Sequence, residues 1–269
     1  MKRAGAGVPL PHTVPVPFDD PSDDDERSVA RPARSLDDAD EHGPLAAVVV
    51  ETVQGEGGVN PARPAWLRAL VSWAREHGTL VVVDDIQMGC GRTGPFFSFE
   101  SAGIVPDIVC LSKSISGYGT PMALTLMRPE YDVWKPGEHN GTFRGYNPAF
   151  VTGARALEVF WSDGALEART TALGERVGRA LAGSARRYGL PAPRGRGLVW
   201  GLSFDRPGAT GEVCGAAYRR GLLLETAGPH DEVVKVLPPL TVTDEQPADG
   251  LGNLDEAVAS VAGRRTLAA

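Results

Sequence analysis

From Ala46 onward the apolar residues fall into short continuous runs separated by segments with helical spacing. AAVVVE (46–51), LVVVD (80–84), DIVCLS (107–112) and MALTLM (122–127) each read as a strand. Runs without polar alternation predict strands covered on both faces. Between them, Pro64–His77 sets Trp66, Leu67, Leu70, Val71 and Trp73/Ala74 close to a 3.6-residue period. That spacing predicts an amphipathic helix, and Gly78 stands where a helix stop belongs. Pro148–Trp161 and Ala165–Tyr188 predict two further helices. Beyond Pro193, GLVWGLSFD (197–205) and VVKVL (233–237) read as strands, and Gly211–Arg220 and Leu254–Ala262 as helices. Apolar strands alternating with helices define an α/β chain with a mostly parallel sheet.

The texture divides the chain into four stretches. Residues 1–44 carry Pro9, Pro11, Pro15, Pro17 and Pro21, then the acidic run Asp23–Glu26. They predict a largely irregular, solvated lead-in with a short helix near Ser35–Asp40. Residues 45–162 form the large α/β part, 163–192 a connecting helix, and 193–269 a smaller α+β domain. No internal repeat is present.

Composition narrows the field. With 42% hydrophobic residues the chain can bury a sizeable core, which excludes a fully disordered protein. The formal charge of -7 and the lack of a Lys/Arg-rich stripe argue against a nucleic-acid partner. No apolar run approaches the roughly 20 residues needed to span a bilayer, so no membrane role is expected. The start, MKRAGAGVPLPHTVPVP, has no apolar core of the kind a secretory signal needs. Cys90, Cys110 and Cys214 are odd in number and form no CxxC pair. Neither a disulfide framework nor a zinc site is expected, and a reducing, cytoplasmic setting is the default.

Two residues carry candidate chemistry. Asp84 closes the apolar strand LVVVD, at the carboxyl edge where open α/β sheets bind ligands. Lys113 lies just past DIVCLS, flanked by Ser112 and Ser114 and followed by Gly117-Tyr118-Gly119, so the backbone turns there. A lysine beside a hydrophobic interior has a depressed pKa and becomes a usable nucleophile. Gly89–Gly94 formally matches GxGxxG, but Pro95-Phe96-Phe97 follows where a helix should open. It reads as a flexible loop lining a site, not as a dinucleotide fingerprint. An acid and a lysine at the ends of successive strands, about thirty residues apart, suit pyridoxal phosphate (PLP).

ETVQGEGG (51–58), VVDDIQMGCGRTG (82–94), PDIVCLSKSISGYGTPMAL (106–124) and GEHNGTFRGYN (137–147) together resemble the class III, fold-type-I PLP aminotransferases. The likeness runs from about Gly5 to the C-terminus and is densest from 46 to 155. DDIQ-GCGRTG, SKS-SGYG-PMAL and VWKPGEHNGTFRG resemble the ectoine-pathway branch more than the ornithine or 4-aminobutyrate branches. The resemblance implies amino transfer between small amino acids and oxo acids, here from L-glutamate to L-aspartate 4-semialdehyde. It further implies that Lys113 binds the cofactor aldehyde and shuttles the proton. Asp84 matches the partner of the pyridine nitrogen and Gln87 the glutamine at the ring hydroxyl. Gly141 and Thr142 match the pair that reaches the cofactor phosphate of a neighbouring subunit, which implies a homo-oligomer, a dimer at least.

Glu56, in QGEGG, matches the glutamate that gates ω-aminotransferases by pairing with an arginine and moving aside for 2-oxoglutarate. Lys235, in VVKVLPPL, stands at the arginine position, and a lysine cannot form the bidentate fork. The alternative for both is a surface charge pair. The family's N-terminal elements, with the phosphate-binding turn and the aromatic that stacks on the ring, are expected to be missing. A related ω-aminotransferase acting on another diamine and a catalytically inactive remnant therefore stand as alternative functions.

Overall fold

The computed structural model describes residues 12–20, 22–23, 25–40, 43–141 and 144–262. In chain order it runs α1 (Asp25–Asp40), β1 (Ala47–Val50), β2 (Val53–Gln54), β3 (Asn60–Pro61), α2 (Pro64–Glu76), β4 (Leu80–Asp84), β5 (Ile108–Leu111) and β6 (Leu124–Met127). Then come α3 (Asn147–Phe160), α4 (Ala165–Tyr188), β7 (Arg194–Arg196), β8 (Val199–Ser203), α5 (Ala209–Tyr218), β9 (Glu225–Ala227), β10 (Val233–Val236) and α6 (Gln246–Ala262).

The first sheet has the order β1-β4-β5-β6. β1, β4 and β5 are parallel, in register Val50↔Val83 and Asp84↔Cys110, and β6 returns antiparallel to β5. α2 covers one face. Pro64 opens it where a missing N–H costs nothing. Its Trp66, Leu67, Leu70, Trp73 and Ala74 pack with Val48, Val50, Val81 and Val83. The opposite face departs from the two-sided cover that the apolar runs predict. Alternate residues of β1 point away from α2, and Val49 is 68% exposed. No helix among the described residues covers that face of β1.

The lead-in also departs from expectation. In place of a short helix near Ser35–Asp40, α1 runs for 16 residues, with Pro32 inside it. Its stability comes from docking and not from propensity. Leu36 is buried in the α2 core, and the Trp73 indole donates to Asp37 Oδ1 at 2.6 Å. Ahead of it, the buried Asp19 accepts the Arg63 backbone N–H at 2.7 Å and pairs with the Arg63 guanidinium at 2.7 Å. That contact pins the lead-in to the start of α2.

The second sheet is antiparallel, with the order β7-β8-β10-β9. α4, α5 and α6 supply its core: Leu173, Val177 and Leu181 meet Leu198, Leu202, Val213, Val234, Leu254 and Val258. α6 starts eight residues before the predicted Leu254. Its first turns carry Pro247, Asp249, Gly250 and Gly252, which show no apolar period.

Candidate active site

The parallel ladder brings the carboxyl ends of β1, β4 and β5 side by side. Glu51 follows β1, Asp84 ends β4, and Lys113 lies two residues beyond β5. Asp84 is half-buried and accepts the Ile86 N–H at 3.1 Å. Glu51 and Asp84 line one cleft of about 590 Å³ with Gln54 and Trp66. Lys113 lines a second cleft of about 590 Å³ with Cys90, Thr120, Met122 and Trp161. Glu51 links the two electrostatically. Burial chiefly raises its pKa; Asp84 and Glu56 push the same way, and Lys113 opposes them.

Lys113 is exposed and not enclosed by the hydrophobic interior expected at the strand end, although Cys90, Met122 and Trp161 share its cleft. Leu111, the last residue of β5, is still in the core; the chain turns outward at Ser112–Ser114 and is buried again at Ile115. The Lys113 amine has no hydrogen-bond or ion-pair partner among the described residues. The backbone around it is tightly held. Lys113 has φ +53°, a left-handed conformation that costs a β-carbon-bearing residue about 1–2 kcal/mol. Ser112 Oγ donates to the Met122 carbonyl at 2.7 Å, and Ser116 Oγ accepts the Gly119 N–H at 3.1 Å. Gly117 closes the turn at φ +73°, and a β-carbon there would collide with Ala156 of α3. Strain at a residue so held is characteristic of functional sites.

The Glu56–Lys235 pair is closed. Lys235 Nζ lies 2.6 Å from Glu56 Oε1, and the lysine side chain is 1% exposed. Lys235 is therefore not the surface charge of the alternative reading, since it sits on β10, an inner strand of the second sheet, whereas Glu56 is exposed. Gln87 Nε2 also donates to Glu56 Oε1, at 3.3 Å. Gln87 Oε1 is buried with no hydrogen-bond partner among the described residues, and a β-carbon on Gly55 would collide with it. Gly141 is exposed, with its N–H on Asn140 Oδ1 at 2.9 Å, and no described contact joins it to the sheet ends. Thr142 lies outside the described residues.

The glycine-rich stretch is not an open, flexible loop, although its Cys90 and Arg92 do line the Lys113 cleft. Gly89–Gly94 is buried between the two sheets. Cys90, Gly91 and Gly94 take positive φ, and Arg92 donates to the carbonyls of Leu198 (3.2 Å) and Pro238. No helix follows, in keeping with its rejection as a nucleotide fingerprint.

Three acids escaped the sequence reading. Glu51 opens the motif ETVQGEGG, but its place beside Asp84 follows only from the β1–β4 register. Asp85 is 1% exposed and accepts hydrogen bonds from the Ser98 N–H (3.0 Å) and hydroxyl. Glu225 Oε2 lies 3.2 Å from Lys235 Nζ. The doubled Asp84-Asp85 was the one available signal for Asp85.

Comparison with known proteins places this geometry in a family. The class-III aminotransferase family matches residues 2–258, and the chain belongs to it. The diaminobutyrate–2-oxoglutarate transaminase of Nocardia farcinica is 58% identical over 261 residues, covering 97% of this chain and 60% of the relative. The enzyme of the same name from Streptomyces anulatus is 55% identical over 263 residues, covering 97% and 63%. Among solved structures, an ornithine aminotransferase from Toxoplasma gondii superposes with TM-score 0.79 at 31% identity, covering 87% of this chain and 56% of that one. That structure reveals partial occupancy of PLP at its active site. The fold is that of the fold-type-I aminotransferases, present in part: the chain spans about 60% of the length of the curated relatives it matches.

Proposed function

We propose that this chain carries the lysine-bearing part of a PLP-dependent aminotransferase. The enzyme moves the amino group of L-glutamate to L-aspartate 4-semialdehyde, giving L-2,4-diaminobutyrate and 2-oxoglutarate, as in ectoine biosynthesis. The observation that carries this reading is Lys113 beyond β5 and Asp84 at the end of the adjacent, parallel β4. The names of the relatives at 55–58% identity point to the same reaction.

The residues present fit the cofactor. The buried Gln87 Oε1 lacks a donor, which a ring hydroxyl supplies. Asp84 keeps a half-buried carboxylate that accepts the Ile86 N–H, suited to a protonated ring nitrogen. When bound, PLP supplies the electron sink for the carbanion at the substrate Cα.

Lys113 would hold the cofactor through its aldehyde and, once displaced by substrate, carry the proton to and from Cα. Its held backbone fixes where that amine starts. Asp84 would pair with the ring nitrogen and keep it charged. Lys235 receives the distal carboxylate of glutamate when Glu56 turns aside, and the closed pair serves the uncharged end of the semialdehyde. By resemblance to the family, Gly141 and Thr142 would reach the phosphate of the cofactor bound by a second subunit. A homo-oligomer also accounts for Phe150, Val151, Leu157 and Val159, which α3 leaves exposed. The three free cysteines agree with a cytoplasmic location, and no helix among the described residues is long and apolar enough to cross a membrane.

The test is a PLP titration of the 269-residue chain, read by the visible absorption of lysine-bound cofactor. A saturable band that is absent in Lys113→Ala and bleached by L-glutamate is expected. A folded, soluble chain that gives no band, or a band that survives Lys113→Ala, overturns the reading for this chain.

A further inference from the structure

Lys235 has two carboxylates on its ammonium, not one: Glu56 Oε1 at 2.6 Å and Glu225 Oε2 at 3.2 Å. They are held in different ways. Glu225 stands directly opposite Lys235 in the antiparallel β9–β10 register, so its backbone cannot move without breaking the ladder. On the other flank the register neighbour is Gly201, where Val59 fills the space a side chain would take. Glu56 sits on the Gly55–Gly58 turn. The Gly228 N–H fixes the Glu56 carbonyl at 2.9 Å, and Arg194 fixes the Gly58 carbonyl at 3.0 Å. Both side chains reach Lys235 from the surface, Glu225 69% and Glu56 58% exposed, and Glu56 also accepts the Gln87 amide, so the difference between them lies in the backbone: a paired strand for Glu225, a glycine turn for Glu56.

A buried ammonium stripped of its counter-ion is strongly unfavourable, because desolvation is no longer compensated. A gate with a single carboxylate would meet that penalty each time it opened. We propose that Glu225 is a fixed positioning residue: it keeps Lys235 paired and in place while Glu56 leaves to admit the distal carboxylate of a dicarboxylic substrate. This rests on the gate reading of Glu56 and Lys235 given above.

The chain contains four lysines, Lys2, Lys113, Lys135 and Lys235, so ¹⁵N-lysine labelling gives a nearly empty ammonium spectrum. Lys235 is the buried one among the described residues, and its slowly exchanging signal is assigned by its loss in Lys235→Met. That signal is expected to persist in Glu56→Gln and in Glu225→Gln. In the double variant it is expected to vanish or exchange at least about tenfold faster, while the other lysines are unmoved. Glutarate, a dicarboxylate with no reactive carbonyl, is titrated in parallel. It should shift the Lys235 signal and bind Glu56→Gln at least about fivefold more tightly than wild type, since the competing carboxylate is gone. Glutarate that leaves Lys235 unperturbed in Glu56→Gln sinks the gate reading. A Lys235 signal identical in the single Glu56→Gln and the double variant overturns the role of Glu225 alone. Should the double variant not fold, adding Lys235→Met is expected to restore folding by removing the stranded cation; failure of that rescue also overturns the proposal.

Discussion

Asp85 offers a test of how this core handles a buried acid. Its carboxylate receives the Ser98 N–H at 3.0 Å and the Ser98 hydroxyl. Thr52 Oγ1 donates to Ser98 Oγ at 2.5 Å, and Arg196 Nη2 donates to Thr52 Oγ1 at 3.4 Å. Burial is the largest influence and pushes the Asp85 pKa up to about 6, against the Ser98 hydrogen bonds that lower it. A raised pKa means the folded chain binds this proton more tightly than the unfolded chain does. The contribution of Asp85 therefore falls as pH rises from about 4 to about 6 and is level above that. Two units of difference amount to a penalty of about 3 kcal/mol at about pH 7.5, and about half that at about pH 5. Asp85→Asn removes the ionisation but leaves one Ser98 donor unmatched, at about 1 kcal/mol independent of pH. The variant is thus expected to exceed wild type by about 2 kcal/mol at about pH 7.5 and by about 0.5 kcal/mol at about pH 5. Urea unfolding of both proteins at the two pH values measures this, and subtracting wild type from variant cancels the titrating groups that do not interact with Asp85. An advantage that does not grow with pH would falsify the reasoning.

Two further substitutions probe the scaffold. Gly117→Ala forces a β-carbon into Ala156 at a φ of +73° and is expected to cost about 2–3 kcal/mol in urea unfolding. It should also weaken the PLP band by displacing the turn that begins at Lys113; an unchanged midpoint and band would show that the turn is not held by α3. Leu36→Ala empties a buried position between α1 and α2 and is expected to cost about 2–3 kcal/mol. Limited proteolysis should then cut the segment from 12 to 40 faster than in wild type, whereas equal rates would mean that α1 is not docked through Leu36.

The strands and helices that the sequence disclosed are those whose apolar residues repeat with a clean period. α4 begins and ends at the predicted residues, and LVVVD is β4. α1 was hidden because its sequence is rich in Asp, Arg and Pro, and its hold on α2 runs through Asp37, Trp73 and Leu36, contacts between residues far apart in the chain. The glycine-rich segment misled for a related reason. Gly91 and Gly94 are compatible with a loop, but the burial of Arg92 among backbone carbonyls of the second sheet depends on a partner more than a hundred residues away. The bare face of β1 was likewise unreadable, since a continuous apolar run tells how a strand could be covered and not whether this chain supplies the cover.

At the candidate site the same distinction holds, and it explains why Lys235 was partly legible and Glu225 was not. A lysine inside VVKVL is an anomaly that physics resolves in two ways, a charge turned to solvent or a charge turned inward onto an acid. Resemblance nominated Glu56 as that acid. Glu225 lies ten positions before Lys235 and comes opposite it because the chain reverses through Gly228 and Asp231, both at positive φ. β9 is three residues long, too short to show a period, so no pattern in ETA marks its glutamate as cross-strand to a buried cation. Yet the need for it was implicit. Lys235 Nζ has three protons and sits at 1% exposure on an inner strand, and a single glutamate on a surface turn would satisfy it only while that side chain stayed closed. On the gate reading, a second acid on a paired strand keeps the ammonium matched while Glu56 is away, and the β9–β10 register puts Glu225 opposite Lys235.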